Sequence, residues 1–283
     1  MLEQQPLIAK NKRQKKARKL PDSQNLLQFK ELINSACEAI NTGIYPSLIY
    51  AGSSGSYFVF NMEHQTIGVF KPKNEEPYGK LNPKWLKWLH RIFLPCCFGR
   101  SCIIPNKGYL SEAGAYLVDQ FLDLQVVPPT FITFLISPTF NYSRIDRSAS
   151  QARKYLKSKF NALGNINSTL PPKIGSFQKY VEGYSNAYTY FERLNNEPLP
   201  PEADNEFHYI LEKVIVLDYI IRNTDRSDNW LMKLDTSTVP ILSDGTITEE
   251  KKYLISVAAI DNGLAFPYKH PDSWRSCKII IET

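Results

Sequence analysis

Asp225 and Asn229 stand four residues apart in DYIIRNTDRSDNWLMK (218–233), behind an apolar run of Val214, Ile215, Val216, Leu217, Ile220 and Ile221. Further on, AAIDNGLAF sets Asp261 after a short β run and before a glycine. A carboxylate near an attacking hydroxyl, an amide oxygen and a second carboxylate for a divalent cation are what phosphoryl transfer asks of a protein. Two other pieces come earlier in the chain. AGSSGSYFV (51–59) places small residues between two β runs, where backbone N–H groups and serine hydroxyls can approach an anion. VFK (69–71) then puts Lys71 at the end of an apolar strand, within reach of a phosphate held under that hairpin. Each piece alone also reads as something plainer: a hairpin turn, a strand-end lysine, an Asp-rich turn. The ordered set of Gly/Ser hairpin, strand lysine, acid-amide loop and metal-type aspartate is much harder to obtain by chance. A Walker P-loop is excluded, because no lysine follows the second glycine.

The elements that must carry these groups follow from periodicity. Apolar residues from Leu26 to Ile40 suit an amphipathic helix, and 47–71 reads as three β runs, the last ending at Lys71. GYLSEAGAYLVDQFL reads as a helix with Ala113, Leu117 and Phe121 on its packing side. Residues 126–136 and 177–181 read as strands, 142–171 as a basic, Ser-rich insertion, and 205–221 as a helix. The chain thus looks strand-rich first and helix-rich later, with a joint near 178–184.

Composition narrows the class. With 43% hydrophobic residues the chain can build a real core, and no uncharged apolar run reaches the length of about 18 residues that spans a bilayer. Five cysteines in irregular positions do not make a disulfide framework, and the charged N-terminus lacks an apolar signal core, which points to a reducing compartment. The net charge of +6 is concentrated partly in KNKRQKKARK (10–19), read as part of a disordered basic tail over 1–24. That run alone is too little to expect specific nucleic-acid binding. KWLKWLHRIFLPCCFGR (84–100) mixes Trp85, Trp88, Phe93 and Leu94 with Lys84, Lys87, His90 and Arg91, a composition suited to a bilayer surface. Cys96 and Cys97 beside it are candidate S-palmitoylation sites, and CCFGRSC lacks a second ligand pair for zinc. EQQPLI (3–8) has the form of an acidic dileucine sorting signal through Glu3, Leu7 and Ile8, with a clathrin adaptor as its candidate partner.

GSSGSYFV, FKPKNEEPYG, LNPKW, CCFGR, GYLSEAGA, FNYS, VEGY, DYIIRNTDR and AAIDNGLAFP with KHPDSWR together resemble the type II phosphatidylinositol 4-kinases, over about residues 50–275. The resemblance implies an α+β, bilobal protein-kinase-like fold: an N-lobe over 25–180 with a membrane-facing insertion at 84–100 and a basic one at 142–171, and a C-lobe over 181–283. It implies ATP and Mg²⁺ as cofactors and transfer to the 4-hydroxyl of phosphatidylinositol. It further implies a peripheral location on the cytosolic face of Golgi or endosomal membranes, with a cytosolic pool. By position, Ser53, Ser54, Gly55 and Ser56 resemble the loop over the ATP phosphates, and Lys71 the phosphate lysine. Gln178, Lys179, Tyr180 and Val181 resemble the hinge that reads adenine through its backbone. Asp225 with Arg226 resembles the catalytic pair, Asn229 a metal-side asparagine, Asp261 the Mg²⁺ aspartate, and Glu76, Pro77 and Tyr78 substrate contacts. Glu112 and Asp119 both qualify as the acid that pairs with Lys71.

Three departures accompany the likeness. The family loop reads D-x-x-x-x-N, whereas DRSDN is one residue shorter, a displacement of up to about 3.3–3.6 Å for the amide, with Asp228 as an alternative ligand. The family's CCPCC is represented only by Cys96 and Cys97, which implies weaker anchoring. The family's helical C-lobe continues beyond the equivalent of PDSWR, so a truncated C-lobe is expected here. These departures support a second reading from another class: a catalytically impaired membrane relative that acts as a regulator or binds nucleotide or adaptor.

Overall fold

The computed structural model describes residues 23–84, 102–159, 170–196, 198–243 and 246–270. The sorting-type residues Glu3, Leu7 and Ile8 lie outside them, as do Trp85, Trp88, Phe93, Leu94, Cys96 and Cys97. Among the described residues, no helix is long and apolar enough to cross a membrane.

Helix α1 (Ser23–Thr42) opens two residues inside the stretch assigned to the tail. It lays Phe29 and Ala36 against a five-stranded antiparallel sheet. That sheet is built from β1 (Ser47–Ile49), β2 (Ser56–Phe60), β3 (Thr66–Pro72), β4 (Thr130–Leu135) and β5 (Lys173–Lys179), in the order β1-β2-β3-β5-β4. Period-2 alternation in β3 buries Gly68, Phe70 and Pro72 on one face and leaves Lys71 on the other, which is how an apolar strand delivers a lysine to a site. Tyr57, Val59, Phe70, Leu135, Phe140 and Phe177 complete this first core.

Helix α2 (Gly108–Leu122) follows β3 in the described chain. Its length agrees with the sequence reading, but its packing face does not. Leu117 is 50% exposed and Phe121 76%, whereas Glu112, Ala115, Tyr116 and Asp119 are buried with Ala113. The two carboxylates have partners waiting inside, and buried acids with partners outrank exposed leucine as the determinant of the face. Within 142–171, read as an insertion, lies helix α3 (Arg144–Lys159). It is started by Ser143, whose hydroxyl donates to Asp146 and accepts the Asp146 N–H at 3.1 Å, a reciprocal cap across three residues.

The second core gathers Phe207, Val214, Leu217 and Ile221 of α5 (Pro201–Ile221), which follows β6 (Ser185–Asn186) and α4 (Ala187–Asn196). They pack against Met232, Ile255, Val257 and Ala259 of a long hairpin, β7 (Trp230–Ser243) and β8 (Thr246–Ala259). This hairpin corrects the expectation of a helix-rich second half. Its pairing reaches Ser243 opposite Thr246, and the Asp-Gly between them in the sequence is a strong two-residue hairpin signal. Sheet one ends at Lys179 and sheet two begins at Ser185. Tyr116 of α2 meets Phe131 of β4 edge to face with centroids 5.2 Å apart, so one helix touches both cores.

Beneath the first sheet, Glu75 is fully buried and accepts from Tyr57 Oη at 2.5 Å, Lys173 Nζ at 2.6 Å and the Asn141 N–H at 3.0 Å. Burial pushes the Tyr142 phenol, close by, up to about 12, and burial with the Glu75 carboxylate pushes Tyr57 higher still. Both phenols are raised, so the stability they contribute is whole below their unfolded pKa of about 10 and is lost as pH climbs through the folded values. Alkaline titration followed by phenolate absorbance will therefore show these two of the sixteen tyrosines ionising late, together with loss of secondary structure. Smooth ionisation of every tyrosine in the folded protein would contradict this.

Candidate active site

Three elements far apart in sequence meet at Lys71. Its ammonium donates to Glu112 Oε1 of α2 at 2.5 Å and to Asp261 Oδ1 at 2.8 Å. Burial opposes the charge on Lys71, but Asp261 and Glu112 outweigh it and hold the lysine above its ordinary range. Lys71 in turn holds the Asp261 carboxyl below the usual carboxylate range. Glu112 uses its other oxygen to accept the Asn262 N–H at 3.1 Å, so a single acid fixes both the lysine and the turn after Asp261. Of the two acids left open by sequence, Glu112 is the partner. Asp119, two turns further along α2, accepts the N–H groups of Val126 and Val127 instead, at 2.8 and 3.2 Å.

Asp261 sits at φ 51°, ψ 55°, the left-handed conformation that polar residues tolerate, and a 3₁₀ turn (Asn262–Leu264) follows it. The sharp reversal turns its side chain, 56% exposed, off the end of β8. The DRSDN loop lies alongside. Asn229 donates its side-chain amide to the Asp225 carbonyl at 2.7 Å and its N–H to the Arg226 carbonyl at 2.7 Å, closing the shortened loop on itself. The Ile260 N–H donates to the Asn229 carbonyl at 3.1 Å, which fixes the loop beside the strand end that carries Asp261.

Arg226, grouped with the catalytic residues by sequence, is placed as a tie. Its guanidinium forks onto Asp218 of α5 at 2.8 and 2.9 Å and donates to the carbonyls of Asn229 at 2.6 Å and Ile260 at 2.8 Å. It also donates to Asn262 Oδ1. One side chain thus joins the end of a helix, the acid-amide loop and the Asp261 turn, a use of the planar fork that lysine cannot copy.

The Gly/Ser loop is roofed by the KPKNEEPYG segment. The Gly55 N–H donates to the Glu75 carbonyl at 2.8 Å, and a Cβ on Gly55 would stand 2.7 Å from Glu75 Oε2, so the approach admits only glycine. Ser54 and Ser56 share a hydrogen bond of 3.1 Å.

With this geometry in view, similarity to known proteins is specific. The family described as phosphatidylinositol 3- and 4-kinase matches residues 52–282. The chain belongs to that family. Within it the chain is 52% identical over 262 residues to phosphatidylinositol 4-kinase type 2-beta of Gallus gallus, covering 88% of this chain and 53% of the relative. It is 54% identical over 256 residues to the type 2-alpha protein of Danio rerio, covering 88% and 57%, and 47% over 289 residues to that of Xenopus laevis, covering 97% and 60%. The chain therefore spans between half and three-fifths of the length of these relatives. The five-stranded sheet, the helix that carries Glu112 and the second core agree with the bilobal α+β fold of a phosphoinositide-kinase family member.

Two expectations for this family member need adjusting. Gln178 is buried and donates to Thr130 Oγ1 at 3.0 Å, the Lys179 N–H goes to the Pro129 carbonyl at 2.8 Å, and the Tyr180 N–H goes to the Ile67 carbonyl at 3.0 Å. Those donors serve the sheet, so of the four residues read as an adenine hinge Val181 is the first past the bonds. A cavity of about 300 Å³ adjoins Val181 and is lined by Tyr116, Gln120, Val126, Pro128, Tyr184 and Val257 among others; none of Lys71, Asp225 or Asp261 lines it. Glu76, read as a substrate contact with Pro77 and Tyr78, is buried and accepts the N–H groups of Gly108 and Tyr109 at 3.2 and 2.9 Å. It caps α2 from outside the helix and so holds Glu112 at its height. Glu76→Ala leaves the Tyr109 donor buried without a partner, a cost of about 1–3 kcal/mol, and will lower the melting temperature. Glu76→Gln keeps an acceptor oxygen and will lose less. Equal melting of both variants and wild type would contradict the cap.

Glu75, Asp218, Asn262 and Lys173 are the residues that sequence reasoning missed, and Glu76 was read for another role. Only the reciprocity of KPKNEEPYG with the loop preceding it, and of Asp218 with Arg226 across a helix end, could have suggested them. The donor set at the site suits a hard cation: the Asp261 and Asp225 carboxylates and the side-chain oxygen Oδ1 of Asn229, whose amide nitrogen is already used. Among the described residues no group of three or more acids, histidines or cysteines is placed to hold a metal. Mg²⁺ commonly takes one or two carboxylates and completes its shell with phosphate and water, and the residues present fit that mode.

Proposed function

We propose that this chain carries the catalytic site of an ATP-dependent lipid kinase that phosphorylates the 4-hydroxyl of phosphatidylinositol. The observation that carries the reading is the convergence of Lys71, Glu112 and Asp261 beside the Asp225 loop. The type 2 phosphatidylinositol 4-kinases, about half identical to this chain, supply the substrate class. ATP lies between the lobes, with its phosphates under Ser53, Ser54, Gly55 and Ser56 and its adenine toward Val181. Lys71 gives up part of its bond to Asp261 to hold phosphate oxygens. Asp261 would hold Mg²⁺ together with Oδ1 of Asn229 or with Asp228, and the metal would supply neutralisation of charge on the transferring phosphate. Asp225 orients the inositol hydroxyl and takes its proton as the oxygen attacks the γ-phosphorus in line, while the bond to the β-phosphate breaks and ADP leaves. Positioning and charge neutralisation do most of this chemistry.

The segment at 84–100 is proposed to meet the bilayer through Trp85, Trp88, Phe93 and Leu94, with Cys96 and Cys97 as acylation sites, on the cytosolic face of Golgi or endosomal membranes. Glu3, Leu7 and Ile8 are proposed to engage a clathrin adaptor. The test is transfer from radiolabelled ATP to phosphatidylinositol in mixed micelles with Mg²⁺. Product at the 4-position is expected. No product from soluble, folded protein would overturn the kinase reading in favour of a regulator that has lost turnover, which the self-closed DRSDN loop would then explain.

A further inference from the structure

The Gly/Ser loop is held from its carbonyl side by two residues that no part of the reaction above uses. Lys84, grouped by sequence with cations that face a bilayer, instead donates to the carbonyls of Ile49, Ala51 and Gly52 at 3.1, 2.8 and 2.9 Å. An ammonium has three donors, and here two are spent on this loop and the third on the end of β1 that leads into it. Asn82 donates to the carbonyl of Ser53 at 3.0 Å and to that of Pro77 at 3.0 Å, and its own oxygen accepts the Lys84 N–H at 2.8 Å. The two residues therefore act as one unit, with Pro83 between them and in contact range of Gly55.

Peptide planarity gives this arrangement its meaning. No peptide in the described chain is cis, so the carbonyl of one residue and the N–H of the next point in opposite directions. With the carbonyls of Ala51, Gly52 and Ser53 turned toward Lys84 and Asn82, the N–H groups of Gly52, Ser53 and Ser54 are turned away from them, as a row. Gly52 at φ 73° permits the bend. Successive N–H groups facing one side form an anion-binding concavity, and a cation behind their carbonyls polarises the same peptides toward an anion in front.

We propose that Asn82 and Lys84 are positioning residues that preset the amides of 52–54 to receive a polyphosphate. The inference rests on the reading of this loop as an ATP-phosphate loop and adds what orients it. A polyphosphate-specific effect follows, because adenine and ribose are recognised elsewhere.

The experiment measures binding of Mg²⁺-ATP, adenosine and inorganic tripolyphosphate by calorimetry, and steady-state transfer to phosphatidylinositol, with the full chain. Lys84→Met is expected to weaken ATP and tripolyphosphate about tenfold and to raise the KM for ATP equally, the loss of about one charge-assisted set of bonds. Adenosine affinity and kcat should stay within about twofold of wild type, a split that merely structural damage would not produce. Lys84→Arg should recover only part, since a planar guanidinium cannot converge on three carbonyls. Asn82→Ala, which keeps the lysine, should show the same selectivity to a smaller degree and serves if Lys84→Met fails to fold. Unchanged ATP binding in a folded Lys84→Met or Asn82→Ala protein overturns the clamp alone. A wild-type chain that binds neither ATP nor tripolyphosphate overturns the clamp together with the phosphate-loop reading.

Discussion

Asp225→Ala will reduce phosphate transfer by about 10²–10⁴-fold while leaving the protein folded and able to bind nucleotide. The reason is visible in how the loop is held. The Asp225 N–H donates to Asn223 Oδ1 at 3.0 Å and its carbonyl accepts the Asn229 amide at 2.7 Å, and alanine keeps both bonds. What is removed is the carboxylate proposed to take the hydroxyl proton. The loss should fall on kcat, with the KM for ATP nearly unchanged, because the proposed nucleotide contacts are made by Lys71 and the Gly/Ser loop. The melting temperature should stay close to that of wild type. A variant that turns over phosphatidylinositol at the full rate would remove Asp225 from the mechanism, whatever its stability.

Arg226→Lys is expected to be nearly as damaging, through both stability and rate. The guanidinium and the Asp218 carboxylate are 12% and 18% exposed, so the pair is largely withdrawn from water. Breaking a buried pair costs about 3–5 kcal/mol, and the lost bonds to the carbonyls of Asn229 and Ile260 and to Asn262 come in addition. Lysine retains the charge but cannot fork onto Asp218 while reaching the loop and the turn. A loop released by about 1 Å would itself cost on the order of 10²-fold in rate. Denaturant melts should show the destabilisation, and a cycle with Asp218→Asn should show strong coupling, because the second change adds little once the pair is gone. Additive losses, or a fully active and stable Arg226→Lys protein, would contradict the tie.

The residues legible in the sequence were those whose role is written in local pattern. Lys71 was found because β3 alternates strictly, and the hairpin at 51–59 because small residues interrupt two β runs. Glu112 and Asp119 could not be told apart, since seven residues on a helix return to the same face and both are buried acids. Only the partner decides: a lysine for one, two peptide N–H groups for the other. The face of α2 was misjudged for the same reason, by counting apolar residues where acids carried the burial. The use of the Lys179 and Tyr180 N–H groups was hidden because it depends on neighbouring chain segments rather than on side-chain type. The β7–β8 hairpin went unnoticed because its polar residues do not alternate cleanly, although Asp-Gly marked its turn. Arg226 drew attention by standing next to Asp225, and its work is mechanical.

The spacing of the Lys71 contacts along the chain also sets an order of events during synthesis. Lys71 finds Glu112 after 41 residues but must wait 190 for Asp261, and Arg226 waits 36 for Asn262. Contacts so distant in sequence form late, after loop closure has been met by the burial of the hairpin against α5. A nascent chain that has emerged only as far as β7 would therefore carry Lys71 paired to Glu112 alone, and its acid-amide loop tied to α5 through Arg226 but not yet to the Asp261 turn. The site comes into being as β8 docks, and a nucleotide that takes the proposed site would stabilise only this assembled form.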